Sequence, residues 1–167
     1  MKILSFTTLF PNSINPLHGL FVKERVQAMA RKSDLHVIAP VPYFPDIPLL
    51  NKLDALKRYT DYSKVPASET FAGLEVMHPR HKTFPKILKS FDGNFIFQGA
   101  RKIARELHAK HQFDLIDGHW AYPDGYAVMK IAQDLDLPYT ITIRGDDIST
   151  FADIPGRREK IIERRGG

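Results

Sequence analysis

The 167-residue chain contains no cysteine. That excludes disulfides, thiolate metal sites and a cysteine nucleophile, and it suits a reducing cytoplasm. No apolar run approaches the ~20 residues that span a bilayer. The opening MKILSFTTLFPNS has a single lysine and runs into Pro11, with no small-residue cleavage site, so it reads as a first strand and not as a signal peptide. Glycine is scarce where nucleotide motifs need it. The loop Phe10–Gly19 ends in one glycine, the dinucleotide fingerprint needs three, and no Gly-Lys-Ser/Thr follows. Gly-x-Ser-x-Gly and His-Glu-x-x-His are absent, which leaves hydrolase and zinc chemistry without support. There is no internal repeat and no low-complexity tract.

What is present is charge, unevenly placed. The formal net charge is +5. Eight Lys/Arg between Arg80 and His111 face only Asp92 and Glu106, and five more lie between Arg157 and Gly167. A face of this kind can meet anionic lipid or sugar phosphates; nucleic acid is not the expected partner. It can equally be a solvated helix face. The segment 82–111 mixes Phe84, Phe91, Phe95 and Phe97 with lysines, which suggests peripheral membrane contact, or alternatively aromatic core with a basic rim.

Read in order, Lys2–Thr8 is a short, largely apolar strand of the kind that sits centrally in a sheet. A proline-rich loop leads to Gly19 and then to a helix over Leu20–Arg31, with Phe21, Val22, Val26, Met29 and Ala30 on one stripe. Backbone N–H groups at Gly19–Val22 would open this helix and could hold an anion, or the glycine could merely let the chain turn. Leu35–Ala39 is a second strand, and prolines 40 and 42 close it. Residues 41–69 read as loop with a short amphipathic helix over Leu49–Tyr59. Gly73–His78 is a strand, and Asn94–His111 the longest helix, with Phe95, Gly99, Ile103, Ala104 and Leu107 inward. The apolar runs Leu115–Ile116 and Tyr139–Ile143 are further strands with a helix between them. The alternation predicts an α/β class: one Rossmann-like, doubly wound, mostly parallel sheet with helices on both faces. A single domain over 1–153 is expected, with 154–167 the start of a helix or linker leading onward.

Chemistry concentrates between Asp114 and Asp147. The first late strand empties into His119, Trp120 and Tyr122, the second into Arg144, Asp146 and Asp147. In a parallel sheet these two ends share the edge where ligands bind. His119 can donate to a ligand hydroxyl or polarise a reacting group. Arg144 can grip an anion while the two carboxylates hydrogen-bond a polyol. A metal is not expected, because adjacent carboxylates point apart and no third ligand is in sight. The pairs His78/His81 and His108/His111 read as surface histidines.

FPNSINPLHGLFVKERV and DLIDGHWAYPDGYAVMKIAQDLDLPYTITIRGDDI, at this spacing, resemble the N-terminal domain of glycosyltransferase family 4. The resemblance covers nearly the whole chain. It implies a GT-B fold and a retaining enzyme that moves a hexose-type sugar from a nucleotide-sugar donor to a glycan, lipid-linked or small-molecule acceptor. No further cofactor or metal is implied. By this resemblance the loop ending His18-Gly19-Leu20 approaches donor phosphates and acceptor, and His119 lies at the reaction centre as the catalytic position. Arg144-Gly145-Asp146-Asp147 matches a His-Gly-x-Asp pattern with arginine in the first place, and the loop has one glycine where many members have two. The family's donor domain would follow Gly167, so this chain is expected not to transfer sugar alone. Localisation is expected to be cytoplasmic, with contact at the inner membrane face. Half of a sugar-nucleotide epimerase, or a non-enzymatic anion- or membrane-binding module, are the competing readings.

Overall fold

A computed structural model describes residues 1–43, 61–71, 73–84 and 88–143. The strands are β1 Lys2–Phe6, β2 Asp34–Ile38, β3 Val41–Tyr43, β4 Ser68–Phe71, β5 Leu74–Met77, β6 Arg80–Lys82, β7 Leu115–His119 and β8 Tyr139–Thr142. The helices are α1 Leu20–Ala30, α2 Asp92–His111 and α3 Asp124–Leu135. Among the described residues, six strands form one sheet in the order β4-β5-β2-β1-β7-β8, parallel except for the β4–β5 hairpin. A separate parallel ribbon pairs β3 with β6.

The strand pleat sorts side chains to two faces. Ile3 of β1 joins Leu35 and Val37 of β2 beneath Val22 and Val26 of α1. Leu4 and Phe6 go to the opposite face, with Ile38, Ile116, Ile96 and Ala100 of α2, and Ala127, Val128 and Ile131 of α3. Burial on both faces explains why β1 reads as a nearly unbroken apolar run. The doubly wound, mostly parallel α/β class expected from the sequence is what the sheet shows.

Each helix has a local reason for where it starts or stops. Gly19, before α1, sits at φ 64°. A Cβ there would lie 2.2 Å from the Leu9 carbonyl oxygen, so glycine is required both by the backbone angle and by the close pass of the loop. Helix α2 ends on Gln112 in the left-handed region, its N–H donating to the His108 carbonyl, with His108, Lys110 and His111 in the last turn to complement the dipole. Helix α3 ends the same way on Asp136. Gly99 lets α2 pack onto β6, since a Cβ would meet the Arg80 carbonyl oxygen at 2.3 Å.

Several expectations need correction. Residues 41–69 are not all loop: β3 lies at one end and β4 at the other, because a three-residue strand and an antiparallel edge strand leave too few residues for a readable period. The expected helix at Leu49–Tyr59 and the segment 154–167 lie outside the described residues. The inner stripe of α2 runs through Gly93, Ile96, Ala100 and Ala104 instead of Phe95, which packs its ring 5.5 Å from Phe84. Phe21 is 48 % exposed and takes no part in the buried stripe of α1. His78 and His81 are buried, not surface. His78 sits with Nδ1 2.9 Å from the Ala39 carbonyl oxygen and Nε2 3.1 Å from Glu69, locking the end of β2 to the edge strand β4. The His111 ring lies 3.8 Å from that of His36, tilted by 40°, and burial is the first cause that lowers its pKa.

The basic face is also smaller than its letters. The Arg80 guanidinium donates to the Tyr62, Ser63 and Val65 carbonyls. Arg101 and Arg105 both clamp Asp134 of α3, with closest contacts of 2.6 Å. Their hydrogen bonds hold the Asp134 carboxyl far below the usual carboxylate range.

Replacing Gly19 with alanine should cost more than about 2 kcal/mol, since the added Cβ meets both a disfavoured φ and a backbone oxygen. A urea-denaturation midpoint unchanged from wild type would contradict this account of the loop.

Candidate functional site at the sheet crest

The chain winds outward in two directions from the middle of the sheet. β1 leads through α1 to β2 on one side, and β7 leads through α3 to β8 on the other. The reversal falls between β1 and β7, and their carboxyl ends form the crevice where such sheets hold ligands. Most of the polar groups near that crevice come from three short stretches, 7–19, 117–124 and 139–142, joined by Ser5, Arg25, Thr83 and Asp92.

One buried carboxylate joins the first two stretches. Asp124, in the first turn of α3, is fully buried. It accepts the Thr8 N–H at 2.7 Å, the Thr8 hydroxyl at 2.8 Å and the Thr7 hydroxyl at 3.2 Å. The Thr7 oxygen in turn accepts the Leu9 N–H at 2.9 Å. Asp124 therefore straps the exit of β1 to the exit of β7. Burial pushes its carboxyl up to about 6, against the opposing pull of the three Thr donors and of His119.

His119, the last residue of β7, is completely buried. Its Nε2 lies 3.1 Å from Oδ2 of Asp117, two residues earlier on the same face of the strand. The other oxygen of Asp117 accepts the Thr140 hydroxyl at 3.2 Å and faces Arg25 of α1 at 3.5 Å. Burial drives Asp117 upward, but His119, Arg25 and Thr140 together hold it below the ordinary carboxylate value. His119 Nδ1 and Ser5 Oγ on the adjacent β1 are buried without a hydrogen-bond partner. After His119 the chain turns sharply. Trp120 adopts φ 76°, held by its N–H donating to the Thr142 carbonyl and its own carbonyl accepting the Gly125 N–H. A bulky residue in that region is a strained elbow, of a kind that recurs at functional sites.

Beside this elbow, at the ends of β1 and β2, lies a cleft of about 280 Å³. Thr8, Asn12, His18, Thr83 and Asp92 give it polar lining, while Phe10, Ile96 and prolines 40, 42 and 123 give it apolar walls. Sites for small molecules run to about 300–1,000 Å³, so this one suits a single ring-sized group. His119 does not line it, whereas Pro123 and Thr8, the latter held by Asp124, do.

The residues singled out from sequence are thus distributed as follows. His119 and Trp120 stand at the strand end, and His18 lines the cleft with Nε2 3.1 Å from the Thr8 carbonyl oxygen. Gly19 and Leu20 open α1, where the Val22 N–H already donates to the Gly19 carbonyl and so is not available to an anion. Tyr122 is 1 % exposed, and its hydroxyl accepts the Gly93 N–H, placing it in the packing between α2 and α3. Arg144, Asp146 and Asp147 lie outside the described residues. Sequence reasoning passed over Asp117 and Asp124. For Asp117 the alternation with His119 was a usable signal; Asp124, in Pro-Asp-Gly, looks like a turn acid and carries no hint of burial. Among the described residues, no group of three or more His, Asp or Glu is arranged to hold a metal, and no helix is long and apolar enough to cross a membrane.

No family model matches the chain. Over 161 residues, 90 % of its length, it is 29 % identical to the "Putative teichuronic acid biosynthesis glycosyltransferase TuaC" of Bacillus subtilis (strain 168). The chain is similar to a glycosyltransferase. It spans 38 % of that relative's length. Among solved structures, sucrose-phosphate synthase of Thermosynechococcus elongatus superposes with a TM-score of 0.58 at 11 % identity, over 98 % of this chain and 40 % of that one. A second structure of that synthase, described by its residues 27–220 and 406–426, gives 0.51 at 10 % identity over 87 % of this chain and 65 % of that one. At such identities the likeness is one of fold, and it agrees with the GT-B, Rossmann-like sheet expected.

The Asp124 strap has a pH signature. Its folded pKa of about 6 exceeds the ordinary unfolded value near 3.9, so between those values the folded chain binds more protons than the unfolded one. Stability should therefore fall as pH rises from about 4 to 6, by an amount on the order of 1–3 kcal/mol from this group. Asp124→Asn should flatten that slope in denaturant titrations across the window; an identical slope in the variant would remove the assignment.

Proposed function

We propose that this chain is the acceptor-side domain of a nucleotide-sugar-dependent glycosyltransferase working in polysaccharide or glycan synthesis. The observation that carries this reading is a buried histidine at the end of β7, beside a ring-sized cleft at the switch point, in a chain similar over 90 % of its length to a glycosyltransferase. In this reading the cleft receives the acceptor, whether glycan, lipid-linked or small molecule. His119 meets the donor sugar near the reacting bond, with Trp120 beside it. His18-Gly19-Leu20 approaches the donor phosphates, and Arg144, Asp146 and Asp147 bind donor or acceptor. A hexose-type sugar is the expected group transferred, and no metal or further cofactor takes part.

A second domain supplies the rest. Diphosphate departure needs cationic or backbone N–H groups aimed at the developing charge, normally a large share of transition-state stabilisation. Among the described residues the crevice offers Asp117, Asp124, His18, His119 and an arginine already facing Asp117, a poor set for that task. The donor half therefore comes from a partner domain, and the isolated chain does not turn over nucleotide sugars. Half of a sugar-nucleotide epimerase would share the fold but would not need a cleft for a separate acceptor.

Two measurements test this. Incubated with UDP- and GDP-hexoses, the 167-residue chain should release no nucleoside diphosphate. Paired with a donor domain of a TuaC-like protein it should do so, and His119→Ala should lower that turnover by about 100-fold or more. Turnover by the chain alone would refute the division of labour.

Peripheral membrane contact draws on a separate feature. Leu88 and Phe91 are 48 % and 47 % exposed at the entry to basic helix α2, and Lys102 and Lys110 are exposed along it. Flotation with vesicles containing anionic lipid should recover the chain at low salt and lose it at high salt. Salt-independent absence from the vesicle fraction would end this reading.

A further inference from the structure

We infer that Glu69, on the edge strand β4, is a positioning residue for the cleft. Its carboxylate fixes the loop of residues 12–18 against the end of β2, and with it the placing of Asn12 and His18 along the ligand space. The inference rests on the glycosyltransferase reading only in taking that ligand as the acceptor.

The cleft has two rims. Thr8, Asn12 and His18 belong to the loop between β1 and α1, and Ala39, Pro40, Val41 and Pro42 follow β2. The loop is braced within itself. The Asn12 side-chain oxygen accepts the Ile14 and Asn15 N–H groups at 3.1 and 2.9 Å, and the His18 N–H donates to the Asn15 carbonyl at 3.2 Å. Residues 12–18 therefore shift as one piece. Ser13 turns its N–H outward from that piece, and both Glu69 oxygens accept it, at 3.1 and 3.2 Å. This contact joins residues 56 apart in the chain, so it ties the loop to a separate part of the fold.

Glu69 is held in its turn. The antiparallel register sets it opposite Val76, and so on the same face as His78, two residues further on. His78 Nε2 lies 3.1 Å from a Glu69 oxygen, and Nδ1 lies 2.9 Å from the Ala39 carbonyl oxygen. A carbonyl only accepts, so Nδ1 carries a proton, and the contact at Nε2 is attractive when the ring carries its second. The imidazole is wholly buried and the carboxylate nearly so, which strengthens each contact and keeps competing water away. Ala39, His78, Glu69 and Ser13 thus form one line of polar contacts from the β2 rim to the loop rim. Neither Glu69 nor His78 lines the cleft. They act on it through Ala39 and through Ser13, whose neighbour Asn12 does line it. Without the carboxylate the Ser13 N–H turns to water, and the spacing of the rims is no longer set from β4. Misplaced contacts of this kind weaken productive binding without removing a reacting group.

The test is amide hydrogen exchange followed by NMR on the nitrogen-15-labelled chain. In the wild type the Ser13 N–H, although on an exposed residue, should exchange at least about tenfold more slowly than an unstructured amide. An unprotected Ser13 would overturn the proposal without recourse to any variant. Glu69→Ala should abolish that protection and shift the His18 ring resonances, while the amides of Leu4 and Val37 keep theirs. Glu69→Gln should restore both readouts, because its amide oxygen can accept the Ser13 N–H while its own N–H faces Nε2 of a neutral His78. Exchange unchanged in the alanine variant, or no recovery with glutamine, would each sink the idea. In the enzyme reassembled with a donor domain, Glu69→Ala should raise the acceptor KM several-fold and leave kcat within about twofold. A KM unmoved by the freed loop would confine Glu69 to the fold. The exchange measurement uses no nucleotide sugar, so its failure leaves the glycosyltransferase reading intact, and failure of the turnover experiments leaves the anchored loop standing.

Discussion

A single carboxylate with three donors around it keeps the working edge of this sheet together. β1 and β7 run side by side through the core, but beyond their last residues the chain departs in opposite directions, and main-chain pairing alone does not tie the two exits. Asp124 does, through Thr7 and Thr8. The cleft at the end of β1 and the elbow carrying His119 are therefore referenced to each other. The cost is a carboxyl kept from water, visible in its upward shift. A buried group satisfied by three donors is tolerable, and removing those donors would leave it orphaned. Rigidity at the crevice and susceptibility to pH have here the same cause.

On either side of that strap the two candidate ligand positions differ in character. The cleft is open and mixed in lining, with His18, Asn12 and Asp92 among its polar groups. The His119 position is dry and offers one well-defined atom. The same contrast separates the two surfaces of α2. One side is spent on Asp134 and the core, through Arg101, Arg105, Ile96 and Ala100, while the other keeps Lys102 and Lys110 outward.

Much of the fold was legible beforehand, because burial on both faces writes apolar runs into central strands and a 3.6-residue period into helices. β1, β2, β5 and β8 fell within a residue or two of expectation, and α2 within two. The errors share a cause. β3, β4 and β6 are three or four residues long, too short for a period, and β3 and β6 exist only because they pair with each other across nearly forty residues. In α2 the expected Ala104, Ile103 and Leu107 do face the core, and the miss is confined to Phe95, because Phe95 and Ile96 are equally apolar and only the neighbouring Phe84 and the sheet decide which turns inward. His78 and His81 looked exposed because a polar residue's burial depends on acceptors, here the Ala39 carbonyl and Glu69, that sequence spacing does not bring together.

The sequence by itself determined the α/β class and singled out, as a candidate site, the ends of β7 and β8 with His119. Those follow from local pattern: hydrophobic period, strand-end polarity and the spacing of two motifs. Tertiary structure alone decided that Asp124 is a buried strap, that Tyr122 belongs to packing, and that Arg101 and Arg105 of α2 are spent on Asp134. Each of these depends on a distance between residues remote in the chain or on the dryness of the place where they meet. Electrostatics changes sign and size with burial, and burial is a property of the whole fold.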